Sequence, residues 1–139
     1  MGEPPIWVFD TNVVVSGLLS PFAPPGRLLD LILGRALHMA YDDRIEAEYR
    51  EALSRPLFRI PAGRREAFLA ILLFQRHVTA GPWPHPPSPD PDDQTFLEVA
   101  AATVAQTLVT GNARHFPNSC RGPVRVLSPA EAWRELGGG

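Results

Sequence analysis

The amino-acid sequence predicts an α/β fold, in which a central and mainly parallel β-sheet is flanked by α-helices. Two observations predict it: short apolar runs alternate with longer segments of helical periodicity, and turn residues separate them. The chain has 139 residues, of which 45% are hydrophobic and 20% are charged, as is typical of one globular domain. We expect this domain to cover residues 1–136, and the closing glycines at 137–139 to form a flexible tail.

The first half of the chain predicts two strands and four helices. Ile6–Phe9 is a continuous apolar run, as in a strand that is buried on both faces of a parallel sheet. Asn12 is expected to cap the helix that follows it, and Gly34 is expected to be the C′ residue that ends the next helix. The other predicted elements of this half are the strand at 36–41 and the helices at 13–19, 26–33, 42–53 and 62–75.

The second half predicts three strands and two helices after a proline-rich loop at 81–91. Asp90 suits the N-cap of a helix in which Pro91 is N1 and Asp93 is N3, and the helix is expected to end near Ala105. Ser128 and Glu131 form a capping-box sequence that begins the last helix. The strands are predicted at 77–79, 108–110 and 124–127.

Charge and composition exclude several classes of protein. The net charge of −2 gives no overall basic surface, so any contact with nucleic acid must be local. No apolar run approaches the roughly 20 residues that span a bilayer, and Asp10 interrupts the apolar run near the N-terminus before it could act as a signal peptide. The single cysteine, Cys120, fits a reducing compartment. These observations predict a cytoplasmic protein without a membrane segment.

Polar residues follow two predicted strands at the edge where an open α/β sheet binds ligands. Asp10 follows Phe9, and Asn112 comes shortly after the strand that ends at Thr110. Asp10 could be a turn or capping residue, but Asn12 already suits the helix start and leaves Asp10 without a structural role. We therefore treat Asp10 as a candidate for the functional site.

Two further acids are candidates because of their position on predicted helices. Glu48 lies beside the apolar stripe of its helix and has no capping role, whereas Glu46 falls at N3 of a helix capped by Asp43. Asp93 lies on the side of its helix that faces the sheet, where an acid is costly unless it is hydrogen-bonded or bound to a cation. Three carboxylates that converge select a hard ion such as Mg²⁺ or Mn²⁺.

Four motifs occur along the chain in a recognisable order: V-F-D-T-N-V, E-A-E-Y-R-E-A-L-S-R-P, D-P-D-D-Q-T-F-L-E-V-A and L-V-T-G-N. Their order and spacing resemble those of the PIN-domain nucleases, and they are most similar to the VapC-like toxins of toxin–antitoxin systems. This resemblance implies an endoribonuclease that depends on Mg²⁺ or Mn²⁺, that often forms a homodimer, and that a cognate antitoxin inhibits.

The resemblance also implies roles for individual residues. Asp10, Glu48 and Asp93 match the metal-binding and catalytic acids of the family, whereas Asn112 stands at a fourth position that is often aspartate. An asparagine can ligate through its carbonyl oxygen but contributes no negative charge. The residues expected to support the site are Thr11, Thr110 and Asp90, and Arg114 is expected to contact the phosphates of an RNA substrate.

Two other functions fit parts of the pattern. The chain could be a PIN-like module that binds RNA or a protein partner without cutting, which Asn112 and the acidic net charge favour. It could also be a small-molecule phosphohydrolase, although such enzymes normally have a glycine-rich loop that binds phosphate, and the sequence has none.

Overall fold

The structure is a computed structural model and describes residues 2–138. Its five strands form one parallel sheet in the order β3-β2-β1-β4-β5. This arrangement confirms the predicted α/β class. The strands are β1 (Ile6–Phe9), β2 (His38–Tyr41), β3 (Arg76–His77), β4 (Thr107–Val109) and β5 (Arg125–Leu127).

The sheet is wound outwards in two directions from β1. The chain passes from β1 to β2 and β3 on one side, and it returns to β4 and β5 on the other. Phe9 is paired with Val109 in the register of β1 and β4, so the residues that follow these strands emerge side by side. The gap between β1 and β4 is therefore the point where strand order reverses, which is where α/β sheets bind ligands.

Six helices cover the sheet, and the fully buried core lies between them and the strands. Tyr49, Phe9 and Phe96 are among the largest side chains in this core. No helix within residues 2–138 is both long and apolar enough to cross a membrane. The helices are α1 (Thr11–Leu19), α2 (Pro24–Leu33), α3 (Asp43–Leu53), α4 (Ala62–Leu72), α5 (Pro91–Ala101) and α6 (Pro129–Glu135).

The starts of three helices test the capping predictions. Asp90 and Ser128 cap α5 and α6 as predicted, and Ser128 forms the complete capping box with Glu131. The prediction for α1 is wrong: the helix begins at Thr11, and Asn12 lies within its first turn. The prediction for α3 is wrong by one residue, because the Asp42 carboxylate accepts the amide hydrogen of Ile45 and is therefore the cap.

The predicted helix ends at Leu19, Leu33 and Leu53 are confirmed, whereas the ends of α4 and α5 were predicted several residues too late. Gly34 is the C-cap of α2 with an ordinary φ of −80°, and Arg35 takes the left-handed conformation with φ of 63°. Helix α5 ends at Ala101 instead of Ala105 because the amides of Ala102 and Thr103 turn back to carbonyls three residues earlier. Such tight bonds end a helix without any glycine or proline to mark the position.

The end of the chain is held against α6 as far as it is described. The amides of Gly137 and Gly138 donate to the carbonyls of Arg134 and Trp133 at 3.0 and 2.8 Å. Gly139 lies outside the described residues. The division into a domain at 1–136 and a flexible tail at 137–139 stays a prediction.

Candidate functional site

A cavity of about 420 Å³ opens beyond the carboxyl end of β1, and three of the predicted acids line it. Asp10 reaches it from the end of β1, Glu48 from α3 and Asp93 from the first turn of α5. Separate parts of the sequence therefore meet at this cavity, which we call the carboxylate pocket. Thr11, Asn12 and His115 also contribute to its walls.

Asp10 is fixed by the two strands at the centre of the sheet. Its backbone amide donates to the carbonyl of Val109 at 2.9 Å, and its Oδ2 accepts the hydroxyl hydrogen of Thr110 at 2.7 Å. The side chain is only 7% exposed, and this burial raises the pKa of the Asp10 carboxyl, although the bond from Thr110 partly offsets the effect. Asp10 occupies the N-cap position of α1, but its side chain makes no capping hydrogen bond. Its carboxylate lines the pocket, and the side-chain nitrogen of Asn12 donates to Oδ2 at 3.4 Å.

Glu48 faces Asp10 from α3. The hydroxyl of Thr11 donates to Glu48 Oε2, which joins the start of α1 to the middle of α3. Burial raises the pKa of the Glu48 carboxyl, and the charge of Asp10 raises it further. The next residue, Tyr49, is fully buried, and its hydroxyl donates to the carbonyl of Phe9 at 2.5 Å. This bond ties α3 to the end of β1 and so sets the position of Glu48.

Of the three acids, Asp93 has the carboxyl whose pKa is raised most. Burial, together with the negative charges of Asp10 and Asp90, raises the pKa of its carboxyl to about 6. Asp90 itself caps α5, with its Oδ1 accepting the amide hydrogen of Asp92 at 2.8 Å. The nearest basic group is His115, whose Nδ1 lies 3.6 Å from Asp93 Oδ2. Asp93 is therefore an acid in a setting that disfavours its charge.

Asn112 does not line the carboxylate pocket, but it contacts Thr110 and His115 beside it. Its backbone amide donates to the Thr110 hydroxyl at 3.1 Å, and its side-chain nitrogen lies 2.9 Å from His115 Nε2. When the neutral imidazole carries its proton on Nδ1, Nε2 accepts from Asn112 and the proton faces Asp93. In that tautomer the Asn112 nitrogen is engaged and its carbonyl oxygen is left for another partner.

Arg114 lies beside the carboxylate pocket and does not line it. It lines a neighbouring cavity of about 180 Å³ together with Asp90, Asp93 and His115. The two cavities share Asp93 and His115, so Arg114 is adjacent to the acids. Its expected contact with substrate phosphates stays a prediction.

Several lining residues of the pocket were not predicted as site residues, and Arg55 and Phe58 are two of them. Arg55 lies in the second motif, two residues beyond the end of α3, so helical periodicity could not identify it as a pocket residue. Phe58 lies in a 3₁₀ turn at Pro56–Phe58, where no periodicity could have pointed to the pocket.

The chemistry of the pocket fits a hard divalent cation. All three acids have raised pKa values, with Asp10 adding to the shifts of Glu48 and Asp93, so the pocket holds negative charge that a cation would neutralise. Within residues 2–138, however, no three His, Cys, Asp or Glu side chains lie close enough together to hold one ion as they stand. Side chains must therefore move before three carboxylates can share a cation, while Thr11 and Thr110 each leave the second oxygen of Glu48 and Asp10 free of their own hydrogen bonds.

Comparison with known proteins gives the family of the chain. A family model described as the PIN domain matches residues 7–114, a range that includes Asp10, Glu48, Asp93 and Asn112. The chain belongs to the PIN-domain family. No curated protein and no solved structure matches it.

Membership of the PIN-domain family supports the predicted nuclease activity in general, and not the specific ribonuclease or toxin role. PIN domains are generally nucleases, so a nucleic acid is the implied substrate and hydrolysis the implied activity. They typically use divalent metal ions, in agreement with the three carboxylates that line the pocket. The similarity of this PIN domain to the VapC-like toxins stays a prediction.

Proposed function

We propose that this PIN domain is an endoribonuclease that hydrolyses RNA phosphodiester bonds with Mg²⁺ or Mn²⁺ held by Asp10, Glu48 and Asp93. One observation carries the proposal: these acids line a single pocket at the centre of the sheet edge. Among the described residues, none of the three forms an ion pair with lysine or arginine. Negative charge that no ion pair with arginine neutralises suits a cation site.

The residues of the pocket divide the work of hydrolysis. Thr110 and Thr11 orient the carboxylates of Asp10 and Glu48 through their hydroxyl hydrogen bonds. A divalent cation held there would neutralise charge on the phosphate and would lower the pKa of water. Asp93, whose carboxyl has a pKa of about 6 when no cation is bound, would be ionised at neutral pH, and its oxygen that does not hold the cation would accept a proton from the attacking water. Asp90 keeps the helix that carries Asp93 in place by capping it.

Substrate binding is proposed to use local positive charge. Arg114 is adjacent to the acids, where its guanidinium could bind an RNA phosphate in two-point fashion. A local contact of this kind suits a chain whose net charge is −2. Asn112 would offer its carbonyl oxygen as a neutral fourth ligand.

The resemblance to VapC-like proteins supports a proposed biological role. We assign the chain as the toxin of a toxin–antitoxin pair, acting in the cytoplasm as a homodimer and inhibited by a cognate antitoxin. Inspection of the neighbouring gene tests this role: a small, overlapping gene for a DNA-binding protein is expected. Its absence would count against the toxin assignment and would leave the nuclease proposal intact.

The nuclease proposal is tested by cleavage of a mixed RNA pool by the wild type and by Asp10→Asn. With Mn²⁺ we expect the variant to be about 100-fold slower or worse, because it loses a charged ligand and keeps the acceptor for Thr110. Asp30→Asn is the matched control, since Asp30 is an exposed aspartate on α2. It should cleave like the wild type. Equal rates for Asp10→Asn and wild type would overturn the proposal.

A PIN-like module that binds without cutting is the second candidate. It is favoured by Asn112 in place of an acid and by the missing three-ligand cluster among residues 2–138. Calorimetric titration with Mn²⁺ distinguishes the two candidates. Binding that Asp10→Asn weakens supports the nuclease, whereas no binding at millimolar Mn²⁺ supports the module.

A further inference from the structure

One wall of the carboxylate pocket is formed by two residues that the roles above leave unused, Arg55 and Phe58. Arg55 follows the end of α3, and Phe58 closes the 3₁₀ turn at Pro56–Phe58. Among the lining residues of this pocket, Arg55 is the one arginine and Phe58 the one aromatic ring apart from the imidazole of His115. A cation beside an aromatic ring is the combination that proteins use to bind unpaired nucleotides.

The guanidinium of Arg55 is oriented by Glu51 and still has free donors. Its Nε and Nη2 donate to the two oxygens of Glu51 at 2.9 and 2.5 Å. Both side chains are more than half exposed, and a pair of this kind contributes little to stability. Because a guanidinium has five N–H donors, the hydrogens of Nη1 remain available for a phosphate oxygen. Glu51 therefore orients the Arg55 guanidinium and leaves its Nη1 hydrogens free to bind a ligand.

Phe58 presents a ring that a short rigid turn keeps at the pocket. The amide of Phe58 donates to the Arg55 carbonyl at 3.2 Å, and the amide of Arg59 donates to the Pro56 carbonyl at 3.1 Å. The ring is half-buried, and the Arg55 guanidinium lies 6.0 Å from its centroid, at the outer limit of a cation–π contact. The ring is thus anchored in the core on one side and reachable by a planar group on the other.

Arg55 also stands where two cavities meet. A groove of about 470 Å³ between α3 and α5 shares Arg55 and Glu48 with the carboxylate pocket. A nucleic-acid strand with one phosphate at the acids could therefore continue past Arg55 into this groove. The wall of Arg55 and Phe58 is where the nucleotide next to that phosphate would lie.

We infer that Arg55 and Phe58 form a subsite for one unpaired nucleotide, with the base stacked on Phe58 and a phosphate bound by Arg55. Its place beside the bond to be cut rests on the proposed nuclease function. The recognised chemistry, a base face and a phosphodiester, is shared by RNA and DNA. A subsite of this kind requires an unpaired base, because a base within a duplex cannot offer its face to the ring.

The test is the affinity of the full chain for a short, fluorescently labelled single-stranded RNA, measured by anisotropy in EDTA so that no cleavage occurs. We expect Phe58→Ala to weaken binding by roughly tenfold and Phe58→Trp to bind as well as the wild type or better. The same RNA annealed to its complement should bind Phe58→Ala and wild type equally. Phe74→Ala is the matched control, since Phe74 is 82% exposed and does not line the pocket.

Arg55→Gln tests the phosphate contact through salt dependence. Loss of one contact to a single strand should make the slope of log affinity against log salt shallower by about 0.7. Arg50→Gln is the control, because Arg50 forms the same four-residue ion pair on α3, with Glu46, and does not line the pocket. Its slope should equal that of the wild type. Thermal unfolding of each variant checks that the fold is retained, and the Trp variant keeps the test valid if Phe58→Ala unfolds.

The outcomes separate this inference from the nuclease proposal. Unchanged single-strand affinity in both Phe58→Ala and Arg55→Gln overturns the subsite, even if the wild type cleaves RNA and Asp10→Asn does not. Weaker binding by both variants supports the subsite, even if no cleavage is found. Single-stranded DNA of the same sequence identifies the source of the nucleotide: tighter binding of RNA assigns the subsite to RNA, and tighter binding of DNA overturns that assignment.

Discussion

An arginine at the start of β5 forms an ion pair with a glutamate, whereas the three acids of the carboxylate pocket form no ion pair with arginine among the described residues. At the start of β5, Arg125 donates to both oxygens of Glu135 at 2.5 and 2.8 Å and to the hydroxyl of Thr107. At the other end, Asp10, Glu48 and Asp93 share a pocket in which each carboxyl has a raised pKa. The pair at the start of β5 therefore favours folding, whereas the carboxylate pocket keeps electrostatic repulsion.

This difference indicates where the function of the molecule lies. An acid beside other acids destabilises a fold unless something else compensates, and such sites persist where a ligand or a reaction requires them. The acids that repel one another lie at the carboxyl end of β1, and the residues matched by the PIN-domain family model include all three. Changes at this edge should alter metal binding and stability together, whereas changes at the start of the strands should alter stability alone.

The largest effect in this comparison is expected from Asn112→Asp, which adds a fourth carboxylate to the edge. We expect Mn²⁺ to bind about tenfold tighter, because a neutral side chain next to His115 and Thr110 becomes an anion. Calorimetric titration measures the affinity. Asn118→Asp is the control, since Asn118 is exposed and lies in a separate 3₁₀ turn. An equal gain in both variants would show that Asn112 has no special place near the metal.

Much of this molecule could be predicted from the order of its residues, and the reasons are local. The apolar run Ile6–Phe9 is a strand to the residue, because a strand buried on both faces needs no polar alternation. Asp90 with Pro91 gives an unambiguous helix start. The end of α5 was predicted four residues too late, because main-chain bonds at Ala102 and Thr103 end it without a marker residue.

The candidate site was predictable only in part, for a similar reason. Glu48 could be preferred to Glu46 from helical projection, and in the structure Glu48 lines the pocket while Glu46 pairs with Arg50. Phe58 and His115 could not be found in this way, since both lie in 3₁₀ turns that only the folded chain brings to the acids. Periodicity reports which face of an element is buried and says nothing about what an irregular turn contacts.

A smaller effect is expected in the dependence of stability on pH. The folded chain holds the proton of Asp93 more tightly than the unfolded chain, because the pKa of about 6 exceeds the ordinary value of 3.8. Stability should therefore fall as pH rises from about 4 to about 6, and the raised pKa values of Asp10 and Glu48 act in the same direction. In EDTA, Asp93→Asn should remove part of this fall, on the order of 1 kcal/mol after screening by solvent.

Urea unfolding across this pH range measures that contribution as the difference between the variant and the wild type. Asp92→Asn serves as the control, because Asp92 is an exposed acid in the same first turn of α5 and shares its helix-dipole effect. If Asp93→Asn followed the pH dependence of the wild type, the repulsion at the carboxyl edge would be too weak to matter for folding.

The smallest effect is expected from Glu135→Gln at the start of the strands. Glu135 and Arg125 are both more than 40% exposed, so loss of their ion pair should lower the free energy of unfolding by only about 0.5 kcal/mol, and by less in high salt. Glu66→Gln, which removes an adjacent-residue pair of 3.3 Å, should have no measurable effect. RNA cleavage by Glu135→Gln should equal that of the wild type, because none of its contacts reach the pocket. A change in cleavage with unchanged stability would show that the two ends of the sheet are coupled, and the contrast between them would then no longer separate stability from function.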